Sequence, residues 1–169
     1  HIDEIGLIVT SLEKGFLRFS TIGGVDPRML PDREVLVLTE PPLLGVVCCM
    51  PPHVLSAAEM DKAQDIKDMY IDIGMSEEAA AKAVRPGTPV VFRGGAELLG
   101  DDAVCGKSLD DRACFAVLLR TLELLQKGNL DVDLYVMGST QEEVGMRGAR
   151  TGVFAIEPDC AIAVDVTHA

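Results

Sequence analysis

The sequence predicts an α/β protein with a mixed, largely parallel sheet covered by helices, into which a small β-barrel-like domain is inserted. Residues 10–95 contain short apolar runs separated by Gly and Pro, a spacing typical of a small barrel or sandwich. From Gly94 onward, predicted strands alternate with predicted helices, which is typical of a largely parallel, covered sheet. The predicted division is therefore 1–9 with 96–169 for the α/β domain and 10–95 for the insert.

The first predicted strand covers residues 1–9 and carries two polar residues of interest. His1 and Asp3 are two positions apart, so on a strand their side chains point to the same side. A carboxylate in this position can orient an imidazole that binds a metal ion. An ordinary polar strand edge is the alternative for this pair alone.

The insert has the pattern of a β-rich domain with two helices. Helices are predicted at 57–66 and at 76–84, the second with Ser76 as N-cap and two glutamates in its first turn. His53 follows two prolines and is predicted to be a loop residue, and no cluster in the insert indicates catalysis. The strands predicted in the insert are 16–19, 34–38, 44–49, 69–74 and 89–92.

The α/β domain has a clear helical signal at residues 113–126. Apolar residues recur there at helical spacing, and Lys127-Gly128 supplies the end of the helix. Buried strands are predicted at 132–137 and 160–165, with a short helix at 147–154 between them. Because sites in such sheets lie at the carboxyl ends of the strands, the residues that follow the strands are candidates for function.

Acidic residues occupy those positions. Asp110, the adjacent Glu142 and Glu143, and Asp165 lie at strand ends or at a strand-to-helix turn. Adjacent side chains on an extended segment point in opposite directions, so one glutamate can hold a metal while the other faces substrate. Acids gathered without a cation would repel one another and lose hydration, so a shared divalent ion is predicted. With His1 as a further ligand, Zn²⁺, Mn²⁺ or Co²⁺ is favoured; acids that cap helices or face solvent are the alternative.

Composition argues against several classes of function. The formal charge of −12 disfavours a surface for nucleic acid or anionic membranes. The five cysteines form no Cys-x-x-Cys pair, which argues against a disulfide framework or a cysteine zinc site and favours a reducing cytosol. No apolar run has the length of a membrane span, and no secretory signal pattern is present. Because the chain starts without Met and ends within a candidate site, we interpret it as an incomplete piece of a longer chain.

Four motifs, in order along the chain, resemble those of the tetrahedral (TET) and glutamyl aminopeptidase family of dinuclear metallopeptidases. The resemblance covers essentially the whole chain, including the β-rich insert, and some members are labelled deblocking aminopeptidases or endoglucanases. The motifs are His-x-Asp-Glu-x-Gly at 1–6, Gly-Lys-x-Leu-Asp-Asp-Arg at 106–112, Glu-Glu-Val-Gly at 142–145 and Val-Asp-Val-Thr-His-Ala at 164–169.

The resemblance implies a metal-dependent aminopeptidase with two divalent ions, Zn or Co and alternatively Mn, that activate a bridging water. It also implies a zinc-peptidase-like catalytic domain at 1–9 and 96–169 and a dimerisation domain at 10–95. The implied roles are Asp110 as bridging carboxylate with a cis peptide bond after it, His1 and Asp165 as ligands on opposite metals, Glu143 as a further ligand, Glu142 as general base, and Asp3 as the acid that orients His1.

The family pattern also includes features outside this chain. Its second histidine ligand lies beyond Ala169, and His168 is expected beside the metals rather than on one, so this chain alone is expected to be inactive. The family implies peptide substrates and a homo-oligomer of dimers, up to a dodecamer. Two alternatives stay open: a glycosidase that uses Glu142 with another acid, although the absence of Trp leaves few residues for sugar stacking, and a catalytically silent assembly or peptide-binding homologue.

Overall fold

The computed structural model describes residues 1–56 and 62–167, and the chain divides into two compact units. One unit is Ile5–Gly94, and the other combines His1–Glu4 with Gly95–Ala169. Residues 5–9, which we predicted to belong to the α/β domain, lie instead in the first unit. The reason is that the strand beginning at Gly6 pairs with the next strand from Gly6 to Glu13, with one irregularity between Val9 and Ser11.

The unit Ile5–Gly94 is a closed barrel in which every strand pair is antiparallel. The strand order is β1-β2-β5-β4-β3-β6. This confirms the predicted barrel-like domain and corrects the first strand, which starts at Gly6 rather than at His1. The strands are β1 Gly6–Glu13, β2 Phe16–Ile22, β3 Glu34–Val37, β4 Leu43–Cys48, β5 Tyr70–Asp72 and β6 Pro89–Phe92.

Alternation along the strands creates the barrel core, because successive side chains point to opposite faces. Leu7 and Val9 of β1, for example, are each 1% exposed. Burial of one such side chain contributes about 1.5–3 kcal/mol relative to leaving it exposed. The unit therefore has a hydrophobic core of its own, and its other buried members are Leu17, Phe19, Leu30, Val35, Val37, Val47, Met69, Ile71, Val84 and Val90.

The turn between β1 and β2 shows why its two residues suit this position. Lys14 and Gly15 both have positive φ, 53° and 91°, the combination that a two-residue hairpin requires. A Cβ added at Gly15 would lie 2.6 Å from the Met75 carbonyl oxygen. Only glycine therefore fits at this position without a rearrangement.

One predicted helix of this unit is confirmed, and the other falls partly outside the described residues. Helix α1, Glu77–Ala83, begins where predicted, and the Ser76 hydroxyl accepts a hydrogen bond from the Ala79 amide at 3.3 Å. Of the predicted helix 57–66, residues 57–61 lie outside the described residues, and residues 62–65 are not helical. The 3₁₀ turns of the unit are Pro27–Met29, Pro52–Val54 and Ile66–Asp68.

The second unit contains a hairpin and two helices. The hairpin, β7 Ala96–Leu99 with β8 Ala103–Gly106, was not predicted. Helices α2, Leu109–Leu125, and α3, Arg147–Ile156, confirm the two helical predictions in this part of the chain. None of the helices in the described ranges is long and apolar enough to cross a membrane.

The largely parallel sheet was a wrong prediction for the residues that the structure describes. Residues 132–137 and 160–165 form no strand, and the strand pair of this unit is the antiparallel hairpin. A strand exists only where a neighbour supplies hydrogen bonds to its backbone. Apolar residues of both segments are exposed here, Val132 to 69% and Ile162 to 92%. Within the described residues, neither segment has a neighbouring strand that would pair with it and bury these side chains.

Candidate metal centre

His1 lies at the middle of the predicted site. Its side chain is 2% exposed, and its Nε2 atom lies 3.1 Å from Asp110 Oδ1 and 3.6 Å from Glu142 Oε2. On the other side of the ring, Nδ1 lies 3.1 Å from the Asp3 carbonyl oxygen and 3.4 Å from Asp3 Oδ1. An Nδ1–H directed at Asp3 leaves the Nε2 lone pair facing the acids, which is the orientation that a metal ligand needs.

Two sets of potential ligands meet at His1. One set is His1, Glu142 and Glu143, and the other is His1, Asp110 and Asp165; within each set the ligand atoms lie within 4.8 Å of one another. An imidazole nitrogen with several carboxylate oxygens is a donor set suited to Zn²⁺, Co²⁺ or Mn²⁺. The residues present therefore fit a divalent cation.

Asp3 has a second contact that the sequence did not indicate. Its two carboxylate oxygens accept hydrogen bonds from the backbone amides of Glu142 and Glu143, at 3.2 and 3.3 Å. The same carboxylate thus faces His1 and holds the backbone of the acidic pair. These two hydrogen bonds join residues that are separated by 139 and 140 positions in the chain. No local sequence pattern could therefore have predicted them.

The start of α2 places Asp110 and Asp111 in non-helical conformations on either side of a cis peptide bond, the isomer expected from the family resemblance. Asp111 is 1% exposed, and its Oδ2 accepts a hydrogen bond from the main-chain nitrogen of His1 at 3.0 Å. No role for Asp111 was predicted from the sequence, although its position next to Asp110 indicated that it lies at the site.

The acids of the site destabilise one another's charged forms. Burial, followed by the charges of Asp110, Glu142, Asp3 and Asp165, raises the pKa of Glu143. The pKa of Asp110 is also raised, first by burial and then by Asp165 and Asp111. A cation bound between these groups would relieve this repulsion.

We expect Glu143→Gln to stabilise the metal-free protein while weakening its metal binding. The folded-state pKa of Glu143 lies above the usual 4.5, so at a pH between these two pKa values the folded protein holds a proton that the unfolded chain has released. Stability is therefore lost as the pH rises from 4.5 through the raised pKa. With EDTA at pH 7, the variant should melt a few degrees above the unchanged protein, and below pH 4.5 the difference should vanish.

Melting curves of the whole protein by circular dichroism, recorded between pH 4 and pH 7.5, check this expectation. Glu157→Gln, at an exposed position of the same unit, is the matched control and should change the melting temperature little at either pH. A lower melting temperature for Glu143→Gln at pH 7 in EDTA would contradict the repulsion described above.

The structure thus gathers the six predicted site residues into one cluster. His168 lies outside the described residues. The clustered residues are His1, Asp3, Asp110, Glu142, Glu143 and Asp165.

Comparisons with known proteins give a consistent result. The sequence model of the M42 glutamyl aminopeptidase family matches residues 1–169. Lysyl aminopeptidase from Pyrococcus furiosus is 37% identical over 174 residues, which cover 100% of this chain and 50% of that protein. The chain spans about half the length of the curated relatives it matches.

Solved structures agree with the sequence comparison. Aminopeptidase APDkam598 from the archaeon Desulfurococcus kamchatkensis aligns with a TM-score of 0.89 at 39% identity, over 99% of this chain and 46% of that one. The TET1 peptidase of Pyrococcus horikoshii, described as able to assemble into a tetrahedron or a large octahedral shell, aligns with a TM-score of 0.79 at 36% identity. That alignment covers 90% of this chain and 47% of the other.

Proposed function

Because the chain belongs to the M42 glutamyl aminopeptidase family, we propose that the whole protein is a metal-dependent aminopeptidase that removes N-terminal residues from peptides. The observation that carries the proposal is the pair of ligand sets that share His1. Membership of the family implies the use of divalent metal ions. Their identity and number are a finer proposal: two ions, Zn or Co and alternatively Mn.

The proposed ligands are His1 and three of the four carboxylates in the two ligand sets. Asp110, whose Oδ1 lies 3.1 Å from His1 Nε2, is the proposed bridging carboxylate. When bound, the metals supply Lewis acidity to the substrate carbonyl and to the attacking water. The complete proposed set in this chain is His1, Asp110, Glu143 and Asp165.

Glu142 is the proposed general base. Its side chain is 29% exposed, so substrate and water can reach it. Its backbone amide is bound by Asp3 at 3.2 Å, which limits the movement of the carboxylate. A carboxylate held in this way can accept a proton from the attacking water and return it to the leaving amine, a contribution of about 10²–10⁴-fold in rate.

The assembly and domain roles are part of the same proposal. We assign catalysis to the unit that contains His1 and Asp110, and dimerisation to the barrel. Support for a homo-oligomer comes from the assemblies described for the Pyrococcus horikoshii relative and from exposed apolar side chains on the barrel, including Met29, Leu44 and Val54. The cytosol is the proposed compartment, since all five cysteines are free thiols.

A glycosidase function is less well supported than a peptidase function. It would use Glu142 with one other acid and would give no role to His1 or to the Asp3 contacts. The chain contains no Trp and two Tyr, so residues that commonly stack on sugars are scarce. A catalytically silent homologue is also less well supported, because the cluster keeps every acid that the proposed chemistry requires.

Hydrolysis of Leu-, Glu- and Lys-p-nitroanilide by the whole protein tests the proposal. We expect activity to disappear after chelation and to return when Zn²⁺, Co²⁺ or Mn²⁺ is added. The ranking of the three substrates then gives the N-terminal specificity. N-acetyl-Leu-p-nitroanilide should stay uncut, because the proposed aminopeptidase acts on a free α-amino group. If the metal-loaded protein leaves all three substrates intact and instead releases reducing sugar from carboxymethylcellulose, the glycosidase alternative holds.

A further inference from the structure

Glu4 and Lys107 form the least exposed lysine or arginine ion pair among the described residues. Glu4 is 20% and Lys107 27% exposed, and Lys107 Nζ lies 2.5 Å from Glu4 Oε2. Every side chain in the other such pairs of the described ranges is at least 34% exposed. Surface pairs contribute little to stability, whereas breaking a shielded pair leaves a charge without compensation.

Ser108 makes a second contact with the same carboxylate oxygen. Its hydroxyl donates a hydrogen bond to Glu4 Oε2. Ser108 has φ 62° and ψ 24°, a left-handed conformation that is strained for a residue with a Cβ and persists only where the surroundings hold it. Burial raises the pKa of the Glu4 carboxyl, but the hydrogen bonds from Lys107 and Ser108 outweigh burial and lower it, so Glu4 is charged at neutral pH.

These contacts attach the start of α2 to the segment that carries His1. Glu4 binds the two residues just before the helix. The main-chain nitrogen of His1 donates a hydrogen bond to Asp111 Oδ2 at 3.0 Å. Asp110 lies between these two attachment points, and its Oδ1 lies 3.1 Å from His1 Nε2. The separation of the two proposed metal ligands therefore depends on the contacts that Glu4 makes.

We propose that Glu4 is a positioning residue, which holds Asp110 at ligand distance from His1 through its contacts with Lys107 and Ser108. The inference rests on the metal-dependent function proposed above and extends it to a residue outside the proposed ligand set. Ligands already held in place bind a metal without the cost of being ordered. Loss of the Glu4 contacts should therefore weaken metal affinity by about 10–100-fold, the range typical of outer partners of metal ligands.

Titration of the metal-stripped whole protein with Co²⁺, followed by visible absorption, measures this effect directly. Glu4→Gln keeps the shape of the side chain but loses its charge, and it should bind Co²⁺ about 10–100-fold more weakly, with an altered spectrum. Lys107→Arg keeps the positive charge, and its Co²⁺ affinity should stay within about threefold of that of the unchanged protein. Glu34→Gln makes the same chemical change at the exposed pair with Arg93 in the barrel, where the contact distance is 2.8 Å, and should leave the affinity unchanged.

A second variant tests the proposal if Glu4→Gln does not fold. Ser108→Gly removes the hydroxyl and also relieves the left-handed strain, so by circular dichroism it should melt no lower than the unchanged protein, yet it should bind Co²⁺ more weakly. The proposal is overturned if folded Glu4→Gln binds Co²⁺ within twofold of the unchanged protein, or if Ser108→Gly does so where Glu4→Gln is unfolded. If the unchanged protein itself binds no metal, the proposed function fails, and this inference fails with it.

Discussion

Replacement of Glu142 by Gln in the whole protein should lower kcat on its best p-nitroanilide substrate by about 10²–10⁴-fold, the usual contribution of a positioned general base. Gln has the same shape but cannot accept a proton from water. The hydrogen bond from Asp3 goes to the Glu142 backbone amide, so the substitution leaves that contact in place. Metal content measured by atomic emission should therefore stay unchanged, and the fall should appear in kcat rather than in KM.

The comparison of Glu142→Gln with Glu143→Gln separates the roles of the two neighbours. Both carboxylates belong to one ligand set with His1, so geometry alone does not say which of them binds the metal. We expect Glu143→Gln to lose metal and Glu142→Gln to keep it. Retention of more than a tenth of the activity by Glu142→Gln would contradict its role as base, and loss of metal from that variant would make Glu142 a ligand.

If Asp110 is the bridging ligand proposed above, Asp110→Asn should reduce the affinity for divalent metal by more than about 100-fold, beyond the usual cost of losing an outer partner of a ligand. The proposed bridging carboxylate would supply two oxygens and a negative charge to the metal site, and an amide supplies neither the second anionic oxygen nor the charge. Isothermal titration of metal-stripped protein with Zn²⁺ measures the change. Peptidase activity should fall with metal occupancy, and added Zn²⁺ should restore only a small part of it.

Stability provides the control for this variant. The pKa of Asp110 is raised by burial and by the charges of Asp165 and Asp111, so neutralising Asp110 removes repulsion, and the metal-free fold should be at least as stable. Asp131→Asn, an exposed acid in the same unit, should change neither metal binding nor melting temperature. Two metal ions still bound tightly per chain in Asp110→Asn would contradict the bridging role.

Local signals predicted the local structure well. The Ser76 cap, the helical spacing from Phe115 to Leu125 and the apolar run of β3 are features of residues close together in sequence, and the element that each one predicted was confirmed. The predictions failed where a segment requires a distant partner. Residues 132–137 have the composition of a buried strand, but composition does not supply the neighbouring backbone that makes one, and within the described residues they pair with none.

For the candidate site too, the sequence predicted the local features, and the tertiary structure decided the long-range contacts. Residue types and motif spacing by themselves determined the donor set, one histidine with several carboxylates, and hence the preference for a divalent cation. Only the tertiary structure decided how those groups are held: Asp3 on the amides of Glu142 and Glu143, and Glu4 on Lys107 and Ser108. These contacts join residues more than 100 positions apart. They form only when the folded chain brings distant segments together, which depends on the packing of the whole unit rather than on any local sequence pattern.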